Sequence, residues 1–232
     1  MALLVHDTGI MPYHGAWAMQ RALAEIRARG GDDYLVLVQH PHVFTLGTAG
    51  DETNVLWDQS QRVTMGVDLV RSDRGGDVTY HGPGQLVIYP IIGLQREAGK
   101  VHANVVGYVR SLEQAVIAFL AEYGITGAAI PGLTGVWVET PAGEAKIAAI
   151  GVRVNVKAVT MHGIGLNLNT DLRYFEGIIP CGIEDRGVTS LRVLLGKPID
   201  EAEAKMRFVA HFCRQFRIEQ VKWGGDSYAS NL

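Results

Sequence analysis

The strongest periodic signal in the sequence lies between residues 105 and 123. Apolar side chains recur there every three or four positions, and a glycine follows them. The series is Val105, Val109, Leu112, Val116, Phe119 and Tyr123, followed by Gly124. Such spacing puts the side chains on one face of a helix, and glycine commonly ends a helix. The chain is therefore predicted to contain a long amphipathic helix here.

A second pattern, between residues 136 and 154, indicates a hairpin. Val136-Trp137-Val138 and the run from Ile147 to Val154 are rich in strand-forming residues. The turn-forming cluster Thr140 to Glu144 separates the two runs, as expected for antiparallel strands. Lys146 is predicted to open the second strand. Two more strands are predicted, over residues 34–38 and 159–168.

Two further helices are predicted, one near each end of the chain. Residues 16–29 carry apolar side chains at helical spacing and are followed by Gly30-Gly31. Asp200 precedes Glu203 in a capping-box pattern. The apolar face of the second helix is predicted from Met206, Val209, Cys213 and Phe216.

Helices and hairpins that are segregated along the chain predict an α+β fold with a mainly antiparallel sheet and flanking helices. A length of 232 residues favours a single domain over 1–232. A boundary between Gly187 and Pro198 would set off a small C-terminal lobe from about residue 188.

Composition narrows the classes of function. The chain is 47% hydrophobic and 19% charged, with a net charge of -3, which gives no basic surface for nucleic acid. No apolar run approaches the roughly 18 residues that a membrane helix needs. Two cysteines are too few for the disulfide framework of a secreted domain. A cytoplasmic protein without nucleic acid or membrane partners is expected.

The segment from Arg74 to Gln85 contains four glycines and a proline among polar residues. Glycines let a backbone approach a ligand closely and offer its N–H groups as donors. The segment matches neither the nucleotide-binding G-x-G-x-x-G pattern nor a P-loop. It is predicted to be either a ligand-binding loop or a plain turn between strands.

Cys181 lies in Pro180-Cys181-Gly182, between residues that break regular structure, which is a common setting for a nucleophile. A buried structural thiol is the other interpretation, and the same interpretation is favoured for Cys213 on its apolar helix face. A nucleophilic cysteine needs a neighbour that favours the thiolate. Lys146 is a candidate for that neighbour, although a lysine at the start of a strand is commonly a solvated charge.

The eight histidines do not form a recognisable metal-binding pattern. His40 and His42 are close in sequence, but no further ligands follow at a usual spacing, and no metal is expected. His81 and His162 are interpreted either as substrate contacts or as hydrogen-bonded core residues.

Four segments in this order resemble the lipoyl(octanoyl) transferase family. They are His40 to Gly47, Arg74 to Gln85, Lys146 to Val152, and the run from His162 through Pro180-Cys181-Gly182 to Leu191. The resemblance implies the α+β fold of lipoate and biotin protein ligases, with a mixed sheet around a substrate cleft. It also implies octanoyl-acyl carrier protein as donor, and as acceptor a lysine of the lipoyl domains of 2-oxoacid dehydrogenase complexes or of the glycine cleavage H protein.

By position, the resemblance makes Cys181 the acyl-thioester nucleophile and Lys146 the residue that lowers its pKa. No cofactor is implied, because thioester exchange conserves the bond energy. The implied substrate contacts are Arg74, Gly75, Gly76, Asp77, Val78, Thr79, Tyr80, His81, Ala149, Ile150, Gly151, His162, Gly163 and Ile164.

Two other functions remain open at this level. An ATP-dependent lipoate or biotin protein ligase would share the fold but would not need Cys181. A non-catalytic module that binds acyl chains would use the glycine segment and leave Cys181 without a chemical task. Contacts to an acidic carrier protein are a further interpretation of Arg71, Arg74 and Arg153.

Overall fold

The computed structural model describes residues 2–95, 103–179 and 186–224. Its helices are α1 Tyr13–Ala28, α2 Gln59–Met65, α3 Val105–Ala121, α4 Leu191–Leu195 and α5 Glu201–Phe216. Its strands are β1 Leu3–Ile10, β2 Asp33–Gln39, β3 Val43–Leu46, β4 Asp68–Arg71, β5 Val78–His81, β6 Gln85–Ile91, β7 Gly127–Ile130, β8 Leu133–Thr140, β9 Gly143–Val154, β10 Thr160–Asn167, β11 Gly187–Val188 and β12 Val221–Gly224.

The strands in the described residues form two sheets. The main sheet has the order β12-β1-β2-β6-β10-β9-β8-β7, with β11 also paired to β9, and the small sheet has the order β4-β3-β5. In the main sheet, strand β1 is parallel to both its neighbours and β11 is parallel to β9. The adjacent strands in the order β2-β6-β10-β9-β8-β7 are all antiparallel to each other. The predicted α+β fold with a mixed, mainly antiparallel sheet and flanking helices is confirmed.

Helices cover both faces of the main sheet. Helices α3 and α5 pack together on one face, around Phe119, Phe208 and Phe212. Helix α1 covers part of the other face with Met19 and Leu23. The long helix predicted from the spacing of apolar residues is therefore present, and that spacing is what allows α3 to bury one face.

Helix α5 differs from its predicted pattern at one position. Met206 is 60% exposed, so its placement on the apolar face was wrong. The buried face instead includes Ala204, Phe208 and Phe212, together with Val209 and Cys213. Large aromatic rings at i and i+4 bury more apolar surface than a methionine does, and they set which side of the helix turns inward. Asp200 caps the helix as predicted, accepting from the backbone N–H of Glu203.

The predicted hairpin is present, but its connection is shorter than expected. Strand β8 ends at Thr140 and β9 begins at Gly143, so Pro141-Ala142 alone link them. Lys146 is therefore the fourth residue of β9 and does not open it. This difference places Lys146 inside the sheet, between two neighbouring strands, and it determines the environment of its side chain.

The small sheet packs against a 3-10 turn, Leu172–Gly177, through aromatic side chains. The ring of Tyr174 stacks on Tyr80 at 5.2 Å and on His42 at 4.0 Å. Beyond the turn, the backbone N–H of Ile179 donates to the carbonyl of Asn54. The small sheet thus packs on the 3-10 turn, and Asn54 holds the backbone of Ile179, two residues before Cys181, which itself lies outside the described residues.

Candidate active site

A cavity of about 570 Å³ opens between the glycine-rich segment, strands β9 and β10 and the start of α3. This volume is within the range of small-molecule sites. The predicted site residues that line it are Arg74, Gly75, Gly76, Asp77, Val78, Thr79, His81, Lys146, Ala149, Ile150, Gly151, His162, Gly163 and Ile164. Three segments distant in sequence therefore meet at one cavity.

Tyr80 is a predicted contact residue that does not line this cavity. Its neighbours Thr79 and His81 do, because successive side chains of a strand point to opposite faces. The Tyr80 hydroxyl instead forms a 2.8 Å hydrogen bond with Nδ1 of His42, inside the aromatic cluster of the small sheet. Burial raises the pKa of this hydroxyl. The side chain of Tyr80 therefore packs in the core of the small sheet, on the face of β5 opposite the cavity.

Arg74 organises the glycine-rich segment from within. Its guanidinium is buried and donates to the hydroxyl and carbonyl of Thr45 and, at 3.0 Å, to the carbonyl of Gly75. The backbone N–H of Gly75 donates to the carbonyl of Val152 on β9. A Cβ on Gly151 would lie 2.8 Å from the carbonyl oxygen of Gly75. Glycine at position 151 thus permits the segment to lie directly on the strand.

His81 is presented to the cavity as a neutral acceptor. Its Nδ1 donates to Oε1 of Gln85 at 2.7 Å, because the amide oxygen cannot donate. Burial, followed by the neighbouring His40, lowers the pKa of His81 to about 3. The remaining nitrogen, Nε2, therefore keeps its lone pair at neutral pH. This tautomer follows from the hydrogen-bond partners.

Two buried amides, which were not among the predicted site residues, lie behind His81. Gln85 Nε2 donates to Oδ1 of Asn167 at 2.9 Å, and Asn167 Nδ2 donates to the carbonyl of Thr189. The N–H of Thr189 in turn donates to the carbonyl of Lys146. A hydrogen-bonded series thus joins His81 to the strand of Lys146. Polar residues within otherwise apolar strands were the available sequence signal.

His162 occupies the other end of the cavity in a strained conformation. Its φ of 56° lies in the left-handed region, which residues other than glycine seldom adopt. Gln20 holds the backbone N–H of His162 at 2.7 Å. The imidazole Nε2 donates to Asp73 at 2.7 Å, and Nδ1 lies 3.5 Å from the hydroxyl of Tyr13.

The charge state of His162 follows from its surroundings. Burial, followed by the guanidinium groups of Arg74, Arg153 and Arg21, lowers the pKa of His162 to about 3. Asp73 also forms an ion pair with Arg153, so its carboxylate is already compensated. A neutral His162 thus fits between Asp73 and the cavity.

Lys146 lies on the cavity wall with only 6% of its surface exposed. Its Nζ stands 4.7 Å from the ring centroid of Trp137, which pairs with it across β8 and β9. On the other side of β9, Val188 pairs with Lys146. The chain seven residues beyond Cys181 therefore runs directly beside Lys146. Cys213, by contrast, is buried in α5, where burial raises the pKa of its thiol.

The described residues contain no group of three or more His, Cys, Asp or Glu side chains that could hold a metal ion. In the same part of the chain, every helix is too short or too polar to cross a bilayer. What the cavity does offer is glycine backbone, neutral imidazoles, apolar wall and one buried lysine.

Known proteins share this fold. In fold, the chain is similar to a bipartite lipoate protein ligase from Thermoplasma acidophilum, with a TM-score of 0.73 and 17% identity over 97% of this chain and 87% of that one. It is also similar to a biotin protein ligase from Aquifex aeolicus, with a TM-score of 0.50 and 15% identity over 93% of this chain and 69% of that one. The expected relation to lipoate and biotin protein ligases is confirmed at the level of fold.

The family model of the lipoyl protein ligase A/B catalytic domain matches residues 12–213, and the chain belongs to this family. An octanoyltransferase from Chloroflexus aggregans is 48% identical to the chain over an alignment of 221 residues that covers 94% of this chain and 97% of the relative. The expected family of octanoyltransferases, and with it the acyltransferase class of enzyme, is confirmed.

Proposed function

We propose that this protein transfers an octanoyl group from octanoyl-acyl carrier protein to a lysine of a lipoyl domain, through a thioester on Cys181. The observation that carries the proposal is the position of Lys146, a buried amine on the wall of a cavity that all the predicted contact residues except Tyr80 also line. Nearly full-length similarity to an octanoyltransferase supports the same reaction.

The apolar part of the cavity suits an acyl chain. Val87, Val109, Ile150, Val152 and Ile164 contribute to its wall. Burying methylene groups against such side chains gives about 0.8 kcal/mol for each group. Backbone N–H groups of the glycine-rich segment, other than that of Gly75, are the proposed donors to the acyl oxygen as it becomes negative.

The first half-reaction begins with the thiolate of Cys181 and the ammonium of Lys146. The thiolate attacks the octanoyl carbonyl carbon, forming a new C–S bond as the bond to the carrier sulfur breaks. The leaving carrier thiolate takes a proton from Lys146, which becomes a neutral amine. An ammonium near the cysteine favours the thiolate at the start of this step.

The second half-reaction returns both residues to their starting state. The neutral amine of the acceptor lysine attacks the thioester carbon, a C–N bond forms and the bond to Cys181 breaks. Lys146 accepts the proton that the acceptor nitrogen loses. Cys181 is released as a thiolate and Lys146 as an ammonium, so no net proton or electron is consumed at the enzyme.

The acceptor is inferred from the family. The similar archaeal ligase was solved in a study with its E2 lipoyl domain. We propose lipoyl domains of 2-oxoacid dehydrogenase complexes and the glycine cleavage H protein as acceptors here. A cytoplasmic location fits a mechanism that needs a reduced thiol.

We also propose that residues 1–232 form one catalytic domain. Leu191, Ile199 and Phe208, which follow residue 188, pack into the same core as the main sheet. Strand β11 also pairs with β9.

Intact-mass measurement tests the proposal. Mixing the protein with octanoyl-acyl carrier protein, without acceptor, should add one octanoyl group that hydroxylamine releases. Adding a lipoyl domain should discharge the adduct and label the lysine of that domain. Modification of the lipoyl domain without any adduct on the protein would contradict the thioester pathway. Labelling by free octanoate only when ATP is present would indicate a ligase.

A further inference from the structure

One indole ring lies against two cationic side chains beside the cavity. The ring centroid of Trp137 is 4.7 Å from Nζ of Lys146 and 5.5 Å from the guanidinium carbon of Arg186. Trp137 is 2% exposed, so these contacts are largely shielded from water. A cation at this distance from an indole face is attracted to it, and most strongly where the pair is desolvated.

The backbone directs Lys146 toward this ring. Val136 pairs with Ala148, but Trp137 pairs with Lys146, so β9 contains one extra residue opposite β8. A bulge of this kind changes the direction of a side chain in a sheet. Residues paired directly across two antiparallel strands project from the same face, which brings the ammonium of Lys146 over the indole of Trp137.

Gly135, two residues before Trp137, lets strand β8 lie close to β9 beside the lysine. A Cβ at position 135 would lie 3.5 Å from Cε of Lys146 and 2.6 Å from the carbonyl oxygen of Ala148. The φ of Gly135 is 121°, a conformation that glycine adopts without strain. Glycine at position 135 is therefore required by the close approach of the two strands, and the stem of Lys146 lies within van der Waals range of it.

Arg186 connects the same ring to the chain that follows Cys181. Its guanidinium forms an ion pair with Glu144, two residues before Lys146 on β9. The next residues, Gly187 and Val188, pair with Ala145 and Lys146. Two cations close together repel each other, and the indole face and the Glu144 carboxylate offset that repulsion.

We propose that Trp137 is a positioning residue, which holds the ammonium of Lys146 at the cavity through a cation–π contact. The role rests on the proposed function, because Lys146 is the proton donor and acceptor of that reaction. Trp137 acts through Lys146. It does not line the main cavity formed by the described residues.

The test compares Trp137→Phe with Trp137→Leu. Leucine fills much of the space but has no π face, so kcat for octanoyl transfer should fall about tenfold or more. Phenylalanine keeps a π face, although a weaker one than indole, so kcat of Trp137→Phe should stay close to that of the wild type. KM for the octanoyl carrier protein should change less than about threefold in both. Trp223→Leu is the matched control, because Trp223 is 48% exposed on the edge strand β12 and does not line the cavity, so this variant should leave kcat within about twofold.

Fluorinated tryptophan at position 137 separates the cation–π contact from packing. One to three fluorines withdraw electron density from the ring and leave its shape nearly unchanged, so log kcat should fall stepwise with each fluorine. This series does not depend on whether Trp137→Leu folds. Equal kcat across the series, or equal rates in the phenylalanine and leucine variants, would overturn the proposal.

A double-mutant cycle makes the inference independent of activity. The unfolding free energies of Trp137→Leu, Lys146→Met and the double variant should be non-additive, because the two side chains are in contact. Additive effects would also overturn the proposal. If the wild type does not transfer octanoate while the cycle shows coupling, the proposed function fails and the contact stands.

Discussion

Nε2 of His162 lies 2.7 Å from Oδ1 of Asp73, and this hydrogen bond joins strand β10 to the segment just before Arg74. It forms between a neutral imidazole and a carboxylate that Arg153 also contacts. His81 and His40 are likewise buried and neutral near the same cavity. These three histidines make the stability of the protein sensitive to acid.

The first prediction follows from their pKa values, which burial lowers to about 4 for His40 and about 3 for His81 and His162. An unfolded chain binds protons at these residues below about pH 6.5, whereas the native state does not. The unfolding free energy should therefore fall as the pH drops from 6.5 toward 4, by at most about 1.4 kcal/mol per pH unit for each histidine. Urea unfolding at several pH values measures this slope.

His40→Gln is the variant for that experiment, because His40 bonds to the carbonyl of Met11 and the hydroxyl of Tyr89 and does not line the cavity. Its slope between pH 6.5 and 4 should be shallower than that of the wild type. His14→Gln, at an exposed position, is the control. An unchanged slope in the His40 variant would show that this histidine is protonated in the native state.

The second prediction compares the two cysteines. Cys181→Ser should reduce octanoyl transfer by on the order of a thousandfold or more, since it removes the proposed nucleophile. Cys213→Ser should destabilise α5 and leave kcat per folded enzyme nearly unchanged, because Cys213 packs in the core. Transfer assays with thermal unfolding curves distinguish the two effects. Normal transfer by Cys181→Ser would show that the nucleophile is wrongly assigned.

The third prediction concerns Lys146. Lys146→Ala should raise the apparent pKa of Cys181 and slow its alkylation by iodoacetamide at pH 7 by about tenfold. Lys146→Arg should keep the thiol reactive but lose transfer, because a guanidinium does not give up its proton. The alkylation rate is measured by mass spectrometry of the peptide that contains Cys181. The same alkylation rate in the wild type and Lys146→Ala would place the lysine outside the reaction.

The fourth prediction compares a glycine that the fold requires, Gly163, with one that alanine can replace, Gly15. A Cβ on Gly163 would lie 2.2 Å from the carbonyl oxygen of Ile88, so Gly163→Ala should push β10 from β6 and cost about 2 kcal/mol or more. Gly15→Ala, in helix α1 with no contact closer than 3.5 Å, should raise the unfolding free energy by up to about 1 kcal/mol. Thermal denaturation checks the opposite signs.

Local sequence patterns correctly predicted several elements of the fold. The apolar spacing of residues 105 to 123 identified α3, and the turn cluster after Val138 identified the β8–β9 hairpin, because both signals come from residues near each other in the chain. The pattern failed at Met206, where packing against α3 chose the buried face. It also misplaced the start of β9, because register depends on the partner strand.

By itself, the sequence determined the fold class, the family and the residues that were expected to meet, because periodicity and motif order are properties of the chain. Only the tertiary structure decided which of those side chains face the cavity and which atoms they contact. It turned Tyr80 away from the cavity, set the tautomer of His81 through Gln85, and placed Lys146 on the ring of Trp137. Those outcomes depend on strand register and on contacts between residues far apart in sequence, which no local pattern encodes.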